Sequence, residues 1–345
     1  MFLIRIYSLL HKDIGIQVVG LENMVRILTV LVLGGAGFLG RRVVRRLIET
    51  GEGVRVLDLV IPPEGDRVSG AEYVAADARE FGSVYSFMRG VDTVVNLAAL
   101  TSAPESVVKP HTYLYDNIRI HMNVLEAARR LGIGLVVLAS SAAVYGDLTP
   151  PHREDGAVKP INPYGVSKLT CEMLGEAYYR VYGVRGFVLR YFNILGEGGH
   201  NVLSEFVSRL AAGRPPIVRG VWRDGGFVPA SRDFIYVEDA AKITVASLKA
   251  RPEYEVINVG SGEPRSVEEL ARIVVEEMGN DIEPERQPLL PREPLTSFAD
   301  ITKARARLGW SPETSLREIV KRYVEWFRRE REKKGGKLGV KPCPA

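Results

Sequence analysis

The chain has 345 residues, a formal net charge of +4, 46% hydrophobic residues and 26% charged residues. This composition is ordinary for a soluble enzyme, and no basic patch interleaved with aromatic residues indicates base stacking with nucleic acid. Two cysteines, Cys171 and Cys343, and five scattered histidines form neither a disulfide framework nor a metal-binding pattern. We therefore expect a cytoplasmic protein without a metal and without a nucleic-acid or membrane partner.

Residues 1–23 differ from the rest of the chain. They begin with an apolar stretch that is broken by Arg5 and followed by charged residues at 11–13. The stretch is too short and too interrupted to span a membrane, and it lacks the layout of a secretory signal. Met24 would begin the first strand naturally. We therefore expect residues 1–23 to result from a start codon assigned too far upstream, or to be an added segment, in either case without a catalytic role.

A glycine-rich turn follows the first apolar run of the chain. Residues 27–33 are continuously apolar, as in a strand buried on both faces. Gly34, Gly37 and Gly40 follow, and after these glycines apolar residues recur at helical spacing. In a strand–turn–helix unit such glycines let the backbone approach a pyrophosphate at the helix N-terminus. A second strand ends at Asp58, and an acid there suits the ribose hydroxyls of NAD and repels a 2′-phosphate. The pattern predicts a dinucleotide site specific for NAD.

Short apolar strands then alternate with helical patterns, which is typical of an α/β protein with a Rossmann-like, doubly wound parallel sheet. The predicted strands are 27–33, 54–58, 71–75, 93–97, 134–140 and 185–191. The predicted helices include 117–131, 163–182, 202–212 and 266–278. After Tyr191 glycines and prolines cluster, which indicates a smaller, loop-rich α/β lobe, and the chain is expected to return to the sheet near Asn258. The predicted division is an NAD-binding domain at 24–192 with a return near 233–262, a substrate lobe at 193–232 and 263–328, and a basic tail at 329–345.

A tyrosine and a lysine lie four residues apart on one predicted helix. Tyr164 and Lys168 share a helix face, and a cation beside a phenol lowers the pKa of the phenol from about 10 toward neutrality. Tyr164 is therefore a candidate general base, and a general acid in the reverse direction. The predicted strand 134–140 delivers Ser140 and Ser141 at its carboxyl end, where open sheets bind ligands.

Further motifs occur in a fixed order along the chain. They are Asp77-Ala78-Arg79, Asn96-Leu97-Ala98-Ala99, Asn117, Ser140 to Gly146, Tyr164 to Lys168, Arg190 to Asn193, Arg232 to Asp239, Asn258 to Gly262 and Ala299 to Lys303. From about residue 25 to about residue 328 the chain resembles the extended short-chain dehydrogenases/reductases, and within them the NAD-dependent nucleotide-sugar epimerases and dehydratases, most closely the UDP-glucose (UDP-galactose) 4-epimerases.

The resemblance implies a set of site residues. It makes Ser141, Tyr164 and Lys168 catalytic, with Ser141 holding the sugar oxygen that Tyr164 titrates and Lys168 also bonding the nicotinamide ribose. The implied cofactor-binding residues are Gly34, Gly37, Phe38, Leu39, Gly40, Asp58, Asp77, Ala78, Leu97, Ala98, Ala99, Asn117, Tyr164 and Lys168. The implied substrate-binding residues are Ser141, Asn193, Asn201, Arg232, Arg292 and Ser297, with the two arginines as a clamp for the diphosphate.

Two alanines decide between reaction classes within this resemblance. Sugar 4,6-dehydratases that resemble this chain have an acid pair where Ala142 and Ala143 stand, and glucuronate decarboxylases usually have an acid at the second position. Alanine performs no proton chemistry. We therefore expect epimerisation at C4 of a nucleotide sugar, UDP-glucose and UDP-galactose first, through a transient 4-keto intermediate. A uronate epimerase and a 4-keto reductase are open alternatives, dehydratase and decarboxylase are weaker ones, and a non-catalytic dinucleotide sensor is a remote one.

Several positions depart from the family pattern. The segment around Arg292 is shortened, a usual Gly-Thr pair is Ile120-His121, and 220–231 is unusually long. In the resembling epimerases a gate residue lies three positions before the aspartate of the Ala-Asp motif. Ser297 stands there, which predicts room for an N-acetylated sugar. The helices predicted at 117–131 and 163–182 resemble those that form a four-helix bundle between two subunits, and we expect a homodimer.

Overall fold

The computed structural model describes residues 28–250 and 252–333. The prediction for residues 1–23 lies outside the described part of the chain, and so does the tail beyond residue 333. Within the described ranges, no helix has both the length and the apolarity that crossing a bilayer requires.

The centre of the molecule is a seven-stranded parallel sheet. Its strands in chain order are β1 (Thr29–Leu33), β2 (Gly53–Asp58), β3 (Ala71–Ala75), β4 (Thr93–Asn96), β5 (Leu135–Ser141), β6 (Gly186–Tyr191) and β11 (Tyr254–Val259). Their spatial order is β3-β2-β1-β4-β5-β6-β11, the doubly wound order with its switch point between β1 and β4. The predicted fold class is therefore confirmed, and the strand ends differ from the predicted ones by no more than two residues.

Helices cover both faces of this sheet. They are α1 (Gly40–Glu49), α2 (Phe81–Phe87), α3 (Ala103–Val108), α4 (Pro110–Leu131), α5 (Pro163–Tyr182), α7 (Val237–Ala250) and α9 (Thr302–Leu308). The strands are buried on both faces, which is why they read as continuous apolar runs: every residue of β6 is buried. The predicted start of α4 at Asn117 is wrong. Its first two turns, from Pro110, carry mainly polar and aromatic side chains, so the apolar spacing begins only at Ile118.

The smaller lobe has two short sheets and its own apolar core. Its remaining elements are β7 (Asn193–Leu195), α6 (Val202–Ala211), β8 (Ile217–Arg223), β9 (Gly226–Pro229), β10 (Ser231–Tyr236), β12 (Pro264–Ser266), α8 (Val267–Met278), β13 (Glu285–Pro288), β14 (Thr296–Ser297) and α10 (Leu316–Lys333). One sheet pairs β10 with β7, β12 and β14, and the other has the order β13-β8-β9. Phe206, Tyr323 and Phe327 lie in the lobe's core. The long segment 220–231 is explained by the β8–β9 hairpin.

The division into lobes differs from the predicted one at α9. The sequence placed all of 263–328 in the smaller lobe. In the structure, Lys303 Nζ donates to the carbonyl of Val256 at 2.8 Å and Arg307 pairs with Glu255 at 2.8 Å, so α9 is bound to β11 of the large sheet. Ala304 is buried in the core of that sheet. The chain thus crosses back to the large sheet immediately after the predicted substrate residue Ser297.

Candidate active site

The glycine turn after β1 allows no side chain at two positions. Gly34 has φ +74°, and a Cβ there would lie 2.9 Å from the backbone nitrogen of Ala98. A Cβ on Gly40, the first residue of α1, would lie 2.1 Å from the carbonyl oxygen of Gly34. Both distances are shorter than van der Waals contact. The turn, the start of α1 and the segment after β4 can therefore pack this closely only because these residues are glycines.

Predicted cofactor residues from three strands meet at this turn. Asp58 lies at the end of β2, and its Oδ2 accepts the backbone N–H of Ala36 at 3.0 Å. Leu97, Ala98 and Ala99 follow β4 and are half-buried. Gly37 is exposed, whereas Phe38 and Leu39 turn their partly buried side chains toward the core of the smaller lobe. Their contribution to a cofactor site would therefore come from the backbone.

Asp77 and Ala78 lie in the segment that follows β3. The carboxylate of Asp77 pairs with Arg79 at 2.7 Å, and the hydrogen bonds from Arg79 hold the pKa of Asp77 below its usual value. Ala78 is buried, and its carbonyl accepts a hydrogen bond from Asn123 on α4. The bond from Asn123 joins the segment to α4, and the Asp77–Arg79 pair lies within the segment itself.

The side chain of Asn117 is used by the protein itself. It accepts the N–H of Leu100 at 2.8 Å and donates to the carbonyl of Leu100 at 3.0 Å and to Ser167 Oγ at 3.0 Å. Asn117 is also buried. Both polar atoms of the side chain are thus engaged within the protein, and the cofactor contact of Asn117 stays a prediction. Asn117 joins α4, α5 and the segment after β4.

The three predicted catalytic residues come together at the end of β5. Asn162 caps α5 by accepting the N–H of Gly165 at 2.8 Å, and Tyr164 and Lys168 follow on the first turns. The side chain of Ser141, at the end of β5, hydrogen-bonds to Tyr164. Lys168 Nζ lies 5.9 Å from the centre of the Tyr164 ring and donates to the carbonyl of Ala139 at 2.7 Å. The arrangement fits proton transfer at an oxygen held by Ser141.

The pKa of Tyr164 shifts in the direction opposite to the predicted one. Burial raises it, and the hydrogen bond with Ser141 opposes that rise only in part. Burial also lowers the pKa of Lys168, because the charged ammonium is costly to desolvate. Burial of both groups thus opposes the effect that the helical spacing predicts, and the ammonium is bound to the carbonyl of Ala139. The role of Lys168 in bringing the phenol toward neutrality stays a prediction.

Three of the predicted substrate residues lie on neighbouring strands of the smaller lobe. Arg232 on β10 is in register with Ser297 on β14, and Asn193 on β7 is in register with Phe234. The carboxylate of Asp233 fixes this sheet by accepting the backbone N–H groups of Ser261, Gly262 and Ala299.

The other two predicted substrate residues are placed differently. Asn201 is the N-cap of α6: its Oδ1 accepts the N–H of Leu203 at 3.1 Å, and its Nδ2 donates to the carbonyl of Ile194 at 3.0 Å. The side chain of Asn201 is thus engaged as a cap, and its contact with the substrate stays a prediction. Arg292 is exposed with φ +64°, outside the range that non-glycine residues normally adopt.

The family model described as the NAD dependent epimerase/dehydratase family matches residues 30–260. The chain belongs to this family. A UDP-glucose 4-epimerase of Corynebacterium glutamicum is 33% identical over 312 residues, which cover 84% of this chain and 93% of that protein. Among solved structures, the UDP-glucose 4-epimerase of Thermotoga maritima with UDP-glucose superposes with a TM-score of 0.81 at 30% identity and covers 88% of this chain and 99% of that one. A UDP-N-acetylglucosamine 4-epimerase of Methanobrevibacter ruminantium M1, in complex with UDP-N-acetylmuramic acid, gives 0.80 at 28% identity, with coverages of 88% and 99%.

These matches confirm the predicted family, the NAD cofactor and the isomerase class, since the similar proteins are named epimerases. The residues present also fit NAD. Gly34 and Gly40 let the turn pack closely against the segment after β4 and against the start of α1, and Leu39 provides no side-chain cap for that helix. Among the hydrogen bonds of the described residues none uses the N–H groups of Phe38 and Leu39, which would be available to a pyrophosphate at the helix N-terminus, whereas those of Arg41 and Arg42 already bond to the carbonyls of Gly37 and Leu39. The carboxylate of Asp58 lies beside this turn at the end of β2 and would accept hydrogen bonds from the ribose hydroxyls.

A buried ion pair beneath the predicted catalytic residues of this epimerase-family chain was not predicted. Glu172 and Arg190 pair at 2.7 Å, and both are buried. Ser140 Oγ also donates to Glu172, and Arg190 Nη1 donates to Tyr145 OH at 2.9 Å. The network joins α5, β5 and β6, the elements that carry Tyr164 and Ser141. Its signal in the sequence is an acid four residues after Lys168, together with the arginine of the Arg190–Asn193 motif.

Proposed function

We propose that this protein is an NAD-dependent nucleotide-sugar 4-epimerase that interconverts UDP-glucose and UDP-galactose. The observation that carries the proposal is the Ser141–Tyr164–Lys168 arrangement with Ala142 and Ala143 directly beside it. These alanines lie in the short 3₁₀ turn 142–144, and the carbonyl of Ala143 faces Gly165 at the start of α5. Tyr164 therefore has a partner for proton transfer and no neighbouring acid from this turn.

The only chemical step assigned to the protein's own side chains is the transfer of one proton. Ser141 holds the 4-oxygen of the sugar, and Tyr164 accepts the proton of the 4-hydroxyl and later returns it. Bound NAD supplies the acceptor for the C4 hydride. The nucleotide must stay anchored while the 4-keto sugar turns, and Arg232 and Arg292 are the proposed anchors. Elimination of water would need an acid at position 142 or 143, where alanine has no proton to give.

The test is an incubation of the purified protein with a panel of UDP- and dTDP-sugars and no added cofactor, followed by chromatography of the products. We expect UDP-galactose and UDP-glucose to reach one equilibrium mixture from either side. A UDP-hexuronate as the sole epimerised sugar would replace the proposed substrate by a uronate. Release of a 4-keto-6-deoxy sugar would contradict the epimerase proposal.

We also propose a homodimer in the cytoplasm. Tyr115 and Met122 are exposed seven residues apart on α4, and Val166 and Met173 repeat this spacing on α5, which packs against α4. Seven residues are close to two helical turns, so each pair lies on one face, and Met173 is 64% exposed. Analytical ultracentrifugation should give a dimer for the wild type and a monomer for Met173→Glu. The exposed Trp222 of the smaller lobe provides the control, because Trp222→Glu should stay dimeric.

The proposed compartment, the cytoplasm, agrees with the free thiol of Cys171, which suits a reducing compartment.

A further inference from the structure

Arg232, one of the proposed diphosphate anchors, has its guanidinium group already engaged. Nη1 donates to the carbonyls of Ser231 at 2.8 Å and Leu295 at 3.2 Å, and Nη2 donates to Oε1 of Glu293 at 2.8 Å. The side chain of Arg232 is only 11% exposed. Both Nη1 hydrogens are thus taken by carbonyls, and an anion that binds both hydrogens of Nη2 must displace the Glu293 carboxylate.

Glu293 also organises the segment that carries it. Its Oε2 accepts the backbone N–H of Leu290 at 3.2 Å, and its own N–H donates to the carbonyl of Leu290 at 3.2 Å. Arg292 lies inside this turn with φ +64°. A left-handed non-glycine residue persists only where its surroundings impose it, and such strain concentrates at binding segments. The carboxylate thus binds Arg232 and closes the turn 290–293 at the same time.

A carboxylate and a phosphate present similar oxygen acceptors to a guanidinium group. The two partners differ in burial, since the side chain of Glu293 is 29% exposed and that of Arg232 is 11% exposed. The carboxylate can therefore move into water, whereas the guanidinium must stay where it is and would be costly to leave unpaired. Exchange of one anion for another keeps Arg232 paired throughout.

We propose that Glu293 is an internal competitor of the substrate diphosphate for Arg232, so that the segment 289–295 must release Arg232 before a nucleoside diphosphate binds. This inference rests on the proposed function, because it takes a nucleoside-diphosphate-linked substrate as given. It defines an affinity-determining residue. The apparent affinity for a diphosphate is reduced by the fraction of molecules in which Arg232 is free.

The experiment is calorimetric titration of the wild type, Glu293→Gln and Glu263→Gln with UDP, with the neutral nucleoside uridine and with inorganic pyrophosphate. Glu263 is the matched control, a glutamate of the same lobe that pairs with the exposed Arg265. We expect Glu293→Gln to bind UDP and pyrophosphate about three- to tenfold more tightly, which corresponds to a competing state about two to nine times more populated than the free one. Uridine affinity should not change, and Glu263→Gln should behave as the wild type.

Equal or weaker UDP binding by Glu293→Gln overturns the inference and leaves the proposed function standing, provided that the wild type binds UDP. If neither protein binds UDP, the proposed function fails and pyrophosphate decides the inference. Tighter pyrophosphate binding by the variant then supports it, and equal or undetectable binding rejects it. A parallel gain for uridine would also reject it, because the competition concerns the anion alone. Glu293→Ala provides the same comparison if the glutamine variant does not fold.

Discussion

The catalytic side and the substrate side of this site are built differently. Ser141, Tyr164 and Lys168 lie at the end of a sheet strand and on the first turns of a long helix, held from below by the buried Glu172–Arg190 pair. The proposed substrate residues lie on short strands and in loops, where their side chains already have partners or, like Arg292, are exposed. The first region is prepared before a ligand arrives. The second must exchange protein contacts for ligand contacts.

The largest effect is expected in the prepared region. Tyr164→Phe removes the proposed base and should lower kcat by roughly 10²–10⁴ while the affinity for UDP is unchanged, because a general base contributes that much to turnover. Tyr113→Phe is the matched control, since the Tyr113 ring packs edge-on against Tyr164 at 6.5 Å and its hydroxyl bonds to Glu105. The control should keep most of the activity. An epimerisation rate near that of the wild type in Tyr164→Phe would remove Tyr164 from the mechanism.

The same contrast explains what could be predicted from sequence. The strands of the large sheet were predictable because burial on both faces leaves continuous apolar runs, and Ser141 and Tyr164 follow from their positions at a strand end and a helix start. The Arg232–Glu293 pair could not be predicted, because its two residues are 61 positions apart and Glu293 lies in the shortened segment around Arg292. The rise in the pKa of Tyr164 was missed for a related reason, because spacing along a helix shows proximity to Lys168 but not the burial of both groups.

The buried ion pair of the prepared region should matter far more to stability than a surface pair. Arg190→Met leaves Glu172 charged and buried without its partner, which should lower the free energy of unfolding by about 3–5 kcal/mol. Arg180→Met breaks an exposed pair with Glu176 on the same helix as Glu172 and should cost less than about 1 kcal/mol. Urea titrations measure both. Equal losses in the two variants would show that the buried pair does not support the catalytic elements.

His152 joins the two regions and should make their contact sensitive to pH. Its backbone bonds to Phe298 and Asp300, and its buried ring stacks on Tyr145 at 4.5 Å. Burial lowers the pKa of His152 from 6.5 to about 4. The unfolded chain therefore gains this proton as the pH falls below about 6.5, whereas the folded chain does so only near 4, and folded stability is lost across that window.

The measurement is the pH dependence of urea unfolding for the wild type and His152→Leu. The variant should lose less stability than the wild type between pH 6.5 and 4, and the comparison at pH 8 reports the change in packing alone. Burial also lowers the pKa of His121, to about 3. The resulting loss of stability at low pH is the same in the wild type and the variant, so it cancels in the difference between their curves. Parallel pH curves would show that the ring of His152 is not kept neutral in the fold.

A smaller and more selective effect is expected at the proposed gate. Ser297 is in register with Arg232, and its buried side chain is much smaller than that of a tyrosine. We predict activity on UDP-N-acetylglucosamine or UDP-N-acetylgalactosamine beside the plain hexoses, because a serine at the gate would admit a 2-acetamido group. Ser297→Tyr should remove the N-acetyl activity and keep UDP-galactose turnover, and Ser297→Ala should keep both. Good turnover of UDP-galactose with none of the N-acetylated sugars in the wild type would contradict the assignment of the gate.

The smallest effect is expected on the substrate side, where it separates the backbone strain of Arg292 from its proposed role in binding the diphosphate. The left-handed backbone of Arg292 costs a non-glycine residue about 1–2 kcal/mol, and glycine adopts it freely but loses more entropy on folding. Arg292→Gly should therefore raise the free energy of unfolding by at most about 1 kcal/mol, while loss of the cation weakens UDP binding. Arg292→Lys keeps both the charge and the strain, so it should show no gain in stability. If Arg292→Gly gains stability and binds UDP as well as the wild type, Arg292 is not an anchor, and Arg232 holds the diphosphate without it once Glu293 has released the guanidinium.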